Sequence, residues 1–121
     1  MEDLLDLMYT RRSIREFTDE PVADEQVEAV LRAAMAAPSD RHWVEDTCAA
    51  TQNLLLAATA VSLGGVWISL YPKKKYQKYV REMLDIPEHI GVLCVVALGH
   101  PAEKKEARTQ YDPERVHHDE W

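Results

Sequence analysis

Only two of the 121 residues are cysteine, Cys48 and Cys94, and both lie inside apolar runs. That excludes a disulfide framework and reads as two buried thiols in a reducing cytoplasm. Basic excess is also missing. The net charge is −7 and the pI about 5.2, which argues against a general nucleic-acid binder but leaves room for a local basic pocket. No apolar run approaches the roughly 18 residues of a membrane span. The first residues, MEDLLDL, are acidic and lack the basic opening of a signal peptide. There is no repeat and no low-complexity tract. Among catalytic motifs there is no P-loop, GxGxxG, GxSxG, HExxH or paired-cysteine motif. Any nucleotide-type cofactor would therefore be held by some other device, and no nucleophile constellation is marked.

What is present reads as one domain spanning 1–121. At 46% hydrophobic and 29% charged residues it is an ordinary globular composition. A chain of this length buries roughly two-thirds of its unfolded surface, enough for one core. The centre is Asp46–Pro72, DTCAATQNLLLAATAVSLGGVWISLYP. Asp46 is a helix cap by type. Cys48 to Leu63 is apolar on nearly every face, which predicts a buried helix. Gly64 and Gly65 are placed to end it in the left-handed conformation. Val66–Leu70 then reads as a strand, stopped by Pro72. Gln52 and Asn53 inside that helix predict backbone or cross-helix hydrogen bonds.

Around this centre, residues 2–10 form a predicted helix with Leu4, Leu7 and Met8 on one face. A second begins after Asp24 as its cap and runs to Ala37, with Val27, Val30, Leu31 and Ala34 inward. A fourth follows Lys73–Lys75 and ends near Leu84, with Tyr76, Tyr79, Val80 and Met83 as its apolar stripe. Gly91–Leu98, GVLCVVAL, reads as a strand covered on both faces. Residues 100–121 read as a charged, extended arm. Four helices and two strands leave the sheet short, because an isolated strand pair is marginal in water.

The strongest chemical signal is RRSIREF, in which Arg11, Arg12, Ser13 and Arg15 lie just past a helix end. Guanidinium groups bind phosphate by planar, often bidentate bonds, and a serine hydroxyl adds another donor. The same cluster could instead be a solvated basic helix terminus complementing the helix dipole. Lys73–Lys75 reads as a solvated helix start, and Arg108 and Arg115 taken singly are surface arginines. His117, His118 and the neighbouring acids have no ligand spacing beyond the pair Glu114/His117, so no metal site is expected.

Taken in order, several segments resemble the FMN-dependent nitroreductase family. They are RRSIREF at 11–17, PV…V..VL.AA at 21–34, APS at 37–39, W.ED..AATQNLLLAA at 43–58, LGGVWISLYP at 63–72, IPEHI at 86–90, LGHPAE at 98–103 and YDPERVHHDEW at 111–121. The resemblance implies an α+β fold with helices around a small sheet, assembled as an intertwined homodimer whose C-terminal arm wraps the partner. It implies FMN at the subunit interface and hydride transfer from NAD(P)H to a small-molecule acceptor such as a nitroaromatic or quinone. On matching positions, Arg11, Arg12, Ser13 and Arg15 would hold the FMN phosphate and ribityl chain. Pro38 and Ser39 would approach the ring from the partner subunit. Ser69 and Leu70 would offer main-chain N–H groups to the flavin N5 and O4 edge. Arg108 would reach the phosphate, whereas Gln110 stands where a second basic residue is often found. No side chain is implied as acid or base.

One departure bears on all of this. Near residues 40–44 the family normally adds several dozen residues, including two sheet strands, but here SDRHW leads directly into VEDTCAA. The chain is either a short form or closes over absent residues; continuity requires Cα spacings near 3.8 Å through 39–46. Two rival readings follow. One is a non-catalytic dimeric remnant or interaction module that binds no flavin. The other is a flavin enzyme of the same fold performing a different reduction, such as dehalogenation.

Overall fold

The computed structural model describes residues 3–108 and 110–121. Helix α1, Leu4–Thr10, starts where the Asp3 carboxylate accepts from Leu5 N–H, and it turns Leu7 inward. Helix α2 is Asp24–Met35. Asp24 is its first residue rather than its cap; the Gln26 side chain reaches back instead, accepting from Ala23 N–H at 3.1 Å. Of the predicted inner stripe, Val30 is buried and Ala34 half-buried, whereas Val27 and Leu31 are exposed.

Helix α3, Trp43–Ala60, begins four residues before the start predicted with Asp46 as its cap. The Asp46 carboxylate is occupied by the loop that precedes the helix. It accepts from Asp40 N–H at 3.0 Å and from Ser39 Oγ at 3.2 Å. Asp46 N–H donates to His42 O, so residues 39–46 of the α2–α3 connection are tied together by local hydrogen bonds. The helix also ends earlier than predicted. Ser62, at φ 65°, takes the left-handed position, and Leu63 N–H donates to Ala58 O at 2.8 Å.

Gly64 and Gly65 therefore do not cap α3; they open strand β1, Gly64–Ser69. Their lack of a side chain serves close approach. A Cβ on Gly64 would stand 2.8 Å from Ile14 Cβ, and one on Gly65 would stand 2.9 Å from Leu55 Cδ2. Strand β2, Cys94–Gly99, pairs antiparallel with β1 in the register Gly64↔Gly99 through Ser69↔Cys94. The core packs Val30 of α2, Ala58 of α3 and Leu63 together, with Val22, Leu54 and Leu98 against them. Asn53 Nδ2 donates to Ala33 O across the α2–α3 contact, while Gln52 is exposed.

Two burial expectations fail for one reason. Only Thr51, Leu55 and Ala58 of α3 are fully buried, although the helix is apolar on most faces. Helices α1 and α2 and strand β1 cover part of it, and the described residues supply no further layer. Helix α4, Lys74–Leu84, turns Gln77 inward and leaves Tyr76, Tyr79 and Met83 exposed. It packs closely on no other helix or strand among the described residues, so its apolar stripe has no core to enter. The arm beyond Gly99 carries one short 3₁₀ turn, Pro113–Arg115. Cys48 and Cys94 are free thiols, half-buried rather than buried, and Thr51 Oγ1 lies 3.7 Å from Cys94 Sγ.

Gly64→Ala tests the close approach. We expect a loss of about 1–3 kcal/mol, because Ile14 or the strand must move. Urea unfolding measures it; an unchanged midpoint and slope would contradict the packing described.

Candidate functional site

After α1 the chain turns along the free edge of β1. Ser13 forms a parallel bridge with Gly65, and Ile14 N–H donates to Gly65 O at 3.0 Å. Ile14 is buried, which anchors the segment and leaves its polar neighbours at the surface. The arm returns beside it. Thr18 N–H donates to His100 O, Ala102 N–H to Glu16 O, and Arg108 N–H to Tyr9 O. Residues 9–18 and 100–108 thus lie together although about 90 positions separate them.

Where they meet, Arg11, Arg12, Ser13, Arg15, Lys105 and Arg108 line one recess of about 200 Å³. Lys105 Nζ donates to Ser13 O at 2.5 Å and pairs with Glu103 at 3.3 Å. Arg12 Nη1 donates to Glu106 O at 2.6 Å. Among the described residues, no carboxylate lies within ion-pair distance of Arg11, Arg12, Arg15 or Arg108. Burial, then the charges of Arg108 and Arg12, lower the pKa of the Arg11 guanidinium. Arginines pressed together without acidic partners among the described residues suit a multiply charged anion.

The strand edge supplies a different kind of donor. Leu70 N–H donates to Leu93 O at 3.1 Å, which continues the β1–β2 register as a hydrogen-bonded pair. Alternation along an antiparallel ladder then turns the main chain of Gly65, Trp67 and Ser69 away from β2. Gly65 confirms the parity, since its carbonyl accepts from Ile14 on that side. The Ser69 amide therefore faces the same edge as the basic loop, about 13 Å farther along at ~3.3 Å per residue. Of the two amides expected there, Leu70's is engaged within the sheet and Ser69's points outward.

Pro38 and Ser39 lie in the α2–α3 connection and are exposed; Ser39 Oγ donates to Asp46. They do not line the basic recess. Gln110 is exposed and does not line it either. Lys73–Lys75 are exposed, with Lys73 Nζ 5.5 Å from the Tyr76 ring centroid. Glu114 belongs to the 3₁₀ turn and His117 lies beyond it, stacked on Trp121 at 4.5 Å. Glu103, Lys105 and Glu106 were not singled out from the sequence. Glu103 falls in the LGHPAE match, but Lys105 and Glu106 lie outside every matched segment and carried no signal, because pairing of the arm with the arginine loop is long-range.

The chain matches the nitroreductase family over residues 8–44 and 40–100, with the break where SDRHW stands. An Archaeoglobus fulgidus protein, provisionally named NADH dehydrogenase/NAD(P)H nitroreductase, is 34% identical over 174 aligned positions covering 100% of both chains. Since this chain has 121 residues, several dozen of those positions have no counterpart in it. The Salmonella typhimurium oxygen-insensitive NADPH nitroreductase is 26% identical, over 98% of this chain and 74% of that protein. A Parabacteroides distasonis structure with the same provisional name as the archaeal protein superposes with a TM-score of 0.94, at 28% identity and complete coverage of both.

Two outcomes test the site. Because Arg11 is charged against its neighbours, Arg11→Met should leave the melting temperature in anion-free buffer unchanged or higher. It should also reduce the rise that inorganic phosphate gives the wild type by binding the folded state. A large loss of stability without anion would contradict this. The Arg15 N–H bond and, beyond it, Lys105 hold the Glu103 carboxyl pKa below the ordinary carboxylate value. A depressed carboxylate stabilises the fold above its unfolded value and loses that contribution as pH falls through its folded value. The stability difference between wild type and Glu103→Gln should therefore be flat above about pH 5 and shrink below it. A difference independent of pH from acid to neutral would contradict it. The alignment of both chain ends, the shared topology and the order of matching segments lead to one conclusion: the chain belongs to the nitroreductase family.

Proposed function

We propose that this chain binds FMN and acts as an NAD(P)H-dependent oxidoreductase toward a small acceptor such as a nitroaromatic or quinone. The observation that carries the reading is the recess of Arg11, Arg12, Ser13, Arg15, Lys105 and Arg108, its arginines unpaired by acid among the described residues. That donor set fits a phosphate monoester: guanidinium forks for the oxygens, an ammonium group and a hydroxyl. FMN, when bound, supplies the chemistry by taking hydride from NAD(P)H and passing it to the acceptor.

The chain's own residues do the holding. The basic recess takes the phosphate, and the Ser69 N–H offers a donor at the β1 edge for the ring. Pro38 and Ser39, which lie away from the recess, serve the ring of a second copy. A homodimer is supported by exposed apolar side chains on α1 and α2, among them Leu4, Leu5, Met8, Tyr9, Leu31 and Met35. No described helix is long and apolar enough to cross a membrane. A cytoplasmic enzyme with no nucleic-acid partner suits the free thiols and acidic balance.

The absent middle segment favours the other reading, a dimeric remnant without flavin. A visible spectrum separates the two. The purified protein, with FMN added and excess removed, should be yellow and should oxidise NAD(P)H when a nitroaromatic is supplied. A dimer that stays colourless and takes up no FMN would select the remnant.

A further inference from the structure

An acid stands beside the basic recess, where simple electrostatics would place none. Glu103 Oε1 accepts from Arg15 N–H at 2.7 Å and lies 3.3 Å from Lys105 Nζ. Lys105 in turn donates to Ser13 O. The carboxylate therefore links the arm to the main chain at both Arg15 and, through Lys105, Ser13. Its neighbours Ala102 and Glu106 repeat the link on either side: Ala102 N–H donates to Glu16 O, and Arg12 donates to Glu106 O. Every polar group of the loop's main chain named here is held by the arm, whereas the Arg11, Arg15 and Arg108 side chains have no acidic partner among the described residues.

We propose that Glu103 is a positioning residue for the anion site: by accepting from the Arg15 amide it fixes the turn that presents Arg11, Arg12, Ser13 and Arg15 to one phosphate. It touches neither ligand nor reacting atoms. Its negative charge by itself weakens the attraction of the recess for an anion, and the positioning outweighs that cost. The depressed carboxylate pKa keeps Glu103 ionised, and thus an acceptor only, throughout the neutral range. This rests on the site being the phosphate site of FMN.

The two effects of Glu103 have opposite signs, which makes the proposal testable. If charge alone matters, Glu103→Ala and Glu103→Gln should both bind FMN more tightly than the wild type. If positioning matters, Glu103→Ala should bind FMN roughly tenfold more weakly, the order expected for loss of a charge-assisted hydrogen bond. Glu103→Gln, whose amide oxygen can still accept from Arg15 N–H, should return to within a few-fold of the wild type. Affinity is read by quenching of FMN fluorescence, with inorganic phosphate as competitor. Amide exchange at Arg15 should be faster in Glu103→Ala and near normal in Glu103→Gln.

Equal or tighter binding by Glu103→Ala, or binding by Glu103→Gln as weak as by Glu103→Ala, would overturn the proposal and leave the site's reading intact. If Glu103→Ala does not fold, Glu103→Met, which keeps the bulk and loses the acceptor, takes its place: weaker FMN binding supports positioning, and equal or tighter binding overturns it. A wild type that binds neither FMN nor phosphate would remove the reading of the site and this proposal with it.

Discussion

The pairing of the post-α1 segment with the free edge of β1 is the constraint on which the site depends. One hydrogen bond, Ile14 N–H to Gly65 O, marks it, and the missing side chain at Gly64 lets Ile14 come close enough to bury. Burying Ile14 fixes where the chain lies, and that in turn places Arg11, Arg12, Ser13 and Arg15 along one strand edge. The same edge carries the outward amide of Ser69, because ladder parity gives Gly65 and Ser69 the same direction. A cationic pocket and a main-chain donor are thereby set at two ends of one short strand.

The arm from His100 to Arg108 completes the arrangement from the other side. It brings Lys105 and Arg108 to the recess and uses Glu103 and the Glu106 carbonyl to hold the loop. Burial of Arg11 first, and then repulsion from Arg108 and Arg12, work against this assembly and lower the Arg11 pKa. Main-chain bonds to the arm hold much of the loop, and the Arg11, Arg15 and Arg108 side chains have no acidic partner among the described residues. Arg12 and Lys105 serve twice, lining the recess and bonding across the loop–arm contact.

Much of the fold could be read from the chain because helix and strand periods are local. Each of the four helices and both strands overlap the stretches where apolar spacing put them, although β1 starts two residues before its apolar run and β2 ends one residue past its own. The ends were misread where a side chain took a tertiary role. Asp46 looked like a cap but binds the preceding loop, and the double glycine looked like a helix stop but serves packing against Ile14 and Leu55. Burial was misread for α3 and α4, since apolar pattern records what a helix can cover and not whether this chain supplies the cover. Arg11, Arg12, Ser13, Arg15 and Arg108 were legible as site candidates, the last only through the family resemblance. Lys105 and Glu103 were not, because their meaning depends on a contact across nearly the whole chain.

Backbone amide shifts recorded during an FMN titration test most directly whether the loop and the strand edge share one ligand. The account predicts that Ser13, Trp67 and Ser69 shift together with the Arg11 and Arg12 guanidinium signals, along a single saturation curve. Shifts confined to one of these two places, or centred on Lys75–Glu82 of α4 instead, would contradict it.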